Sequence, residues 1–168
     1  MIKKLVTVPS GHARGMNDTG ALATIATISA IGGTADILLA FLQHFLLSGT
    51  NPLTILKFIA SGVFEKAAFS GGNSMALWGL LLHYLVVVTW ASFLFFIYPR
   101  VPLLQRNRWV SASGIAVFIW VIMNLVILPL SLTPVSKIQF PGALISIGIL
   151  FLAIGIPFSF LLHRHFRR

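Results

Sequence analysis

Residues 21–47 read ALATIATISAIGGTADILLAFLQHFLL, an apolar run with one carboxylate, Asp36, inside it. A membrane-crossing helix needs about 20 predominantly apolar residues, so this stretch predicts a span. An aspartate near the centre of such a helix costs about 2.5–3.5 kcal/mol on insertion scales, and it must face protein or water and find a partner.

The rest of the chain supports the same class. Of 168 residues, 57% are hydrophobic and 9% charged, against about 25% charged in an average soluble domain. Four spans are expected, over 21–47, 74–98, 109–130 and 142–162, within one membrane domain covering 21–162. Residues 1–20 read as a polar surface tail, with His12 solvated, and 163–168 as a basic tail. The fold class expected is all-α, a polytopic membrane protein with four transmembrane helices and one in-plane amphipathic helix between the first and second.

That extra helix is expected over 52–69. Asn51 suits an N-cap and Pro52 the first helical position. Thr54, Lys57, Ser61 and Glu65 then recur at three- and four-residue intervals, a narrow polar stripe on an apolar helix too short and too charged for a span. Gly71 and Gly72 mark the turn into the second span, and Pro99 and Pro102 end it. Trp109 opens the third span and Pro129 and Pro134 close it. Pro157 predicts a kink in the fourth, where Gly148, Gly155 and Ser159 offer a small-residue packing face; Gly33 does the same in the first. Tyr98 and Trp109 are expected at headgroup level.

The net charge of +9 does not signal nucleic acid, because the basic residues flank apolar runs instead of lining one face. With four spans, nine of the twelve fall on the side of the termini and of the loop between spans two and three; Lys57, Lys66 and Lys137 fall on the other. The positive-inside rule then places both termini in the cytoplasm. The first apolar run is longer than a signal-peptide core and reads as an uncleaved anchor. The absence of cysteine removes thiolate metal sites, disulfides and cysteine nucleophiles.

Counting about 1.5 Å per residue along each helix, Asp36, His83 and Asn124 all fall in the outer half of a hydrocarbon core about 30 Å thick. Gln43 lies seven residues beyond Asp36 on the same face, with His44 and Glu65 nearer the outer surface. These six residues make a candidate outward-facing polar pocket for a proton, a cation or a small solute. They equally suit hydrogen-bonded glue that fixes which helices are neighbours. No spaced ligand pair supports a metal site, His163 and His165 read as solvated tail residues, and no catalytic motif or cofactor fingerprint is present.

At IASGVFEKAAFSGGNSMALWGLLLHY (59–84) and MNLVILPLS (123–131) the chain resembles a family of small bacterial inner-membrane proteins of uncharacterised activity with four predicted spans. The resemblance implies a bacterial envelope location and makes Gly62, Gly71, Gly72, His83 and Asn124 part of the motif. It supplies no activity and no catalytic residues.

The function expected is therefore a non-enzymatic inner-membrane protein, channel- or transporter-like, acting as a homo-oligomer among membrane lipids and without cofactor. The alternatives are an accessory or scaffold protein partnering another membrane protein, and third, a membrane-embedded enzyme acting on lipid.

Overall fold

The computed structural model describes residues 18–134 and 140–167. Most of the expected N-terminal tail, with His12, lies outside these residues, as do Lys137 and Arg168. Among the described residues there is no strand. Helices α1 (Asp18–Ser48), α2 (Leu53–Phe64) and α3 (Ala67–Ser70) are followed by α4 (Gly72–Arg100), whose last turn, Tyr98–Arg100, is a 3-10 helix. Helices α5 (Pro102–Arg106), α6 (Arg108–Leu130) and α7 (Phe140–Phe166) complete the chain.

Four of these, over Thr19–Ser48, Gly72–Arg100, Arg108–Leu130 and Phe140–Phe166, are long and apolar enough to cross a bilayer. The protein is an all-α polytopic membrane protein. Its spans start within two residues of the expected positions, and α7 continues four residues further than expected, through the histidines of the supposed tail.

The helix boundaries follow from local chemistry. The Asn51 Oδ1 accepts from the Leu53 N–H at 2.9 Å to start α2, and the Asn107 Oδ1 accepts from the Trp109 N–H at 2.8 Å to start α6. The helix expected over 52–69 is broken: Glu65 adopts φ 51°, a left-handed conformation unusual for a residue with a Cβ, and α3 is a separate turn. Glycine supplies the next reversal, Gly72 standing at φ 68°.

Helix α2 is apolar and folds back onto α4, against which it packs extensively. The Phe64 ring lies 5.7 Å from that of Trp78, and Leu56 joins Ile37 of α1 and Ala76 of α4 in a small core. After α6 the chain returns to α2, where the Leu132 N–H donates to the Gly62 carbonyl at 3.3 Å.

Helix α1 is central, packed on both α4 and α7, and adjacent glycines explain how. A Cβ on Gly32 would lie 2.6 Å from the Phe158 ring of α7, and one on Gly33 would lie 3.0 Å from the Tyr84 ring of α4. Each absent side chain lets a different neighbour approach. Helices α6 and α7 meet through backbone: a Cβ on Gly155 would lie 2.5 Å from the Ala112 carbonyl oxygen. One turn on, the Ser159 hydroxyl donates to the Arg108 carbonyl at 2.7 Å. Gly148 does not share this packing, since a Cβ there would meet nothing within 4 Å; it borders an open groove with Ser113, Val117 and Leu144.

Both long C-terminal helices contain a π-helical turn, Met123–Ile127 in α6 and Phe151–Gly155 in α7. In each, the N–H following the segment reaches back five residues, Leu128 to Met123 and Ile156 to Phe151, and the next residue is proline, Pro129 or Pro157. Proline has no N–H and clashes with the carbonyl four residues back, so the turn before it widens.

Candidate functional site: a carboxyl and an imidazole between the first two spans

The glycine gap at Gly33 positions the site. It lets α4 approach closely enough for His83, 8% exposed, to reach the backbone of α1, where its Nε2–H donates to the Gly33 carbonyl at 2.9 Å. A carbonyl cannot donate, so this bond fixes the tautomer with a proton on Nε2. The remaining nitrogen, Nδ1, is then an acceptor in the neutral ring and a donor in the charged one.

Asp36 stands three residues beyond Gly33, on the same side of α1. It is half-buried, one turn along α1 from the carbonyl that holds His83. Four residues before Gly33 lies Ser29, whose hydroxyl is buried without a hydrogen-bond partner. Ser29, Gly33 and Asp36, at i, i+4 and i+7, make a polar line along α1 with His83 at its middle. Beside it the Thr34 hydroxyl and the Tyr84 phenol are bonded at 2.7 Å, a second polar tie between α1 and α4.

The other expected pocket residues are placed elsewhere. The Asn124 amide donates to the Trp120 carbonyl of its own helix at 2.9 Å, inside the π turn of α6. His44 Nε2 pairs with the Thr50 hydroxyl at 2.8 Å, within the turn that ends α1. Glu65 is exposed at the end of α2, and Gln43 is half-buried on α1. Among the described residues no group of three or more His, Cys, Asp or Glu side chains is placed to hold a metal ion.

Sequence reasoning missed three contributions. Ser29, one turn before Gly33 on α1, has a buried hydroxyl with no hydrogen-bond partner, which gives it chemical meaning. Tyr98, expected at headgroup level, is 1% exposed and its phenol is hydrogen-bonded to His163 Nδ1. His165, expected in solvent, pairs through Nδ1 with the Thr24 hydroxyl at 2.9 Å and packs on the Phe95 ring. The two histidines are two residues apart on a helix, which turns one toward α4 and the other toward α1. These bonds gather the start of α1, the end of α4 and the end of α7 at one basic end of the bundle.

Compared with family models, curated proteins and solved structures, the chain matches none. The resemblance carried by residues 59–84 and 123–131 gains no support there, while the four apolar helices agree with the membrane class it implies.

Proposed function

We propose that this integral membrane protein is a non-enzymatic, channel- or transporter-like protein in which Asp36 and His83 bind and pass a proton, with or without a coupled cation or small solute. What supports this is the carboxyl of Asp36, deep within a span and one helical turn from the Gly33 carbonyl to which a buried imidazole commits its Nε2. Only Nδ1 remains to exchange a proton with Asp36, and the Ser29 hydroxyl offers a further relay group on the same face.

We place the protein in a bacterial inner membrane with both termini in the cytoplasm. Support comes from Arg106 and Arg108 of the loop between spans two and three gathering with Arg167, and from Arg164 beside the start of α1. Four helices enclose little interior of their own, which favours a homo-oligomer as the working unit.

The test is proton flux into proteoliposomes carrying the purified protein. Asp36→Asn and His83→Gln should each lower flux about tenfold or more, the loss of one essential transfer step. Unchanged flux combined with a lower unfolding temperature would favour the second reading, an accessory protein in which the pair is glue between α1 and α4. The close contacts at Gly32 and Gly33 are the observation behind that alternative.

A further inference from the structure

The basic end of the bundle holds a feature that proton transfer does not use. A cavity of about 430 Å³ is lined by Arg106, Asn107, Arg108, Trp109, His163 and Arg167, within the roughly 300–1,000 Å³ range of small-molecule sites. Three arginines line it, and among the described residues no carboxylate does. Like charges at this density repel one another unless an anion joins them.

Two of the arginines are held in place. The Arg108 guanidinium stacks 4.8 Å over the Phe160 ring, and Arg167 donates to the Gln105 carbonyl at 2.7 Å. Phe160 is also braced by Trp109, 5.2 Å away. Asn107 uses Oδ1 to cap α6, so its amide hydrogens remain as donors. The first turn of this 23-residue helix adds the positive end of its dipole. His163 commits Nδ1 to Tyr98 and keeps Nε2 for the cavity side. The three arginines and the Asn107 amide thus supply the lining with cations and spare donors.

We propose that this cavity binds a phosphate group. Arginine forks match phosphate oxygens in pairs, and a cluster of three with a helix N-terminus is a phosphate-binding arrangement. The phosphate comes either from an anionic lipid headgroup or from a soluble phosphate compound. Trp109, 53% exposed at the mouth, sits where an interfacial tryptophan meets headgroups.

The experiment uses the purified full chain in neutral detergent, titrated with short-chain phosphatidylglycerol, with short-chain phosphatidylcholine as the zwitterionic control, and with inorganic phosphate. Binding is read by calorimetry and by the rise in unfolding temperature that a ligand of the native state produces. Phosphatidylglycerol or inorganic phosphate should saturate a single site. Arg108→Gln and the exposed Arg167→Gln should each weaken that binding about tenfold or more. Arg100→Gln removes the same charge at the same end of the bundle but outside the cavity, and should change binding less than about threefold. If inorganic phosphate displaces the lipid, the source is soluble phosphate; if the lipid binds and phosphate does not compete, the source is the headgroup. Failure of both probes to saturate, or an equal loss in Arg100→Gln, overturns the proposal.

Discussion

Leu56 and Gly79 touch through their main chains: a Cβ on Gly79 would fall on the Leu56 carbonyl oxygen. Backbone leaves no rotamer by which to relieve that overlap. Gly79→Ala should therefore destabilise the protein by about 1–3 kcal/mol, the usual cost of overpacking, read as a lower unfolding temperature in detergent. Gly155→Ala, against Ala112, should behave alike. Gly148→Ala should be neutral or stabilising by up to about 1 kcal/mol, since its position is open and alanine is the better helix former.

His83 and Asp36 should be energetically coupled. In a double-mutant cycle, Asp36→Asn and His83→Gln are expected to be non-additive by about 0.5–3 kcal/mol in unfolding free energy. Asp36→Asn and Asn124→Ala should be additive, because the Asn124 amide is bonded within its own helix. Non-additivity between Asp36 and Asn124 would bring back the three-residue pocket expected from helix depth alone.

Much of the fold was legible in the sequence because the length of an apolar run is set by the bilayer and prolines and glycines mark its ends. The site was legible in part. Asp36 and His83 were matched by depth, and the glycine beside them allowed the approach that depth requires. Depth is one coordinate, however, and it says nothing about which way a side chain turns: α6 packs on α7 and touches α4 through Phe118, against Trp90 and Phe93, whereas the Asn124 amide is spent on its own helix. That is why Asn124, at the right height, lies outside the pair. The inward turn of His163 and His165 was hidden for a related reason, since their arginine neighbours dominate the composition while helical rotation decides where each ring points.

The Tyr98–His163 bond should matter to stability although both residues sit at a polar end of the bundle. Tyr98→Phe keeps the ring stacked on Phe166 and removes only the hydroxyl, leaving His163 Nδ1 without its partner. A loss of about 1–2 kcal/mol is expected in thermal or denaturant unfolding. Thr24→Val, which severs the α1 contact to His165, should cost a similar amount.

The absence of cysteine makes the orientation directly measurable. Leu103→Cys, between the second and third spans, and Asn73→Cys, in the first turn of the second, both place a thiol at an exposed position. In intact cells whose outer membrane admits it, an inner-membrane-impermeant maleimide should label the cysteine at 73 and spare that at 103 until the inner membrane is permeabilised. The reverse pattern would invert the topology.

The π turns of α6 and α7 act on everything downstream of them. Each holds one residue more than an α-helical turn, and one residue is worth about 100° of rotation. Pro157 therefore sets the angular phase of the last third of α7, as Pro129 does for the end of α6. In Pro157→Ala the surplus residue is free to be absorbed and the helix to relax, turning Ser159, His163 and His165 together away from Arg108, Tyr98 and Thr24. All three ties between α7 and its neighbours would be lost through a substitution that touches none of them, visible as a cooperative drop in unfolding temperature larger than that of any single bond. The proline works as an indexing pin: it chooses which side of the helix its partners see.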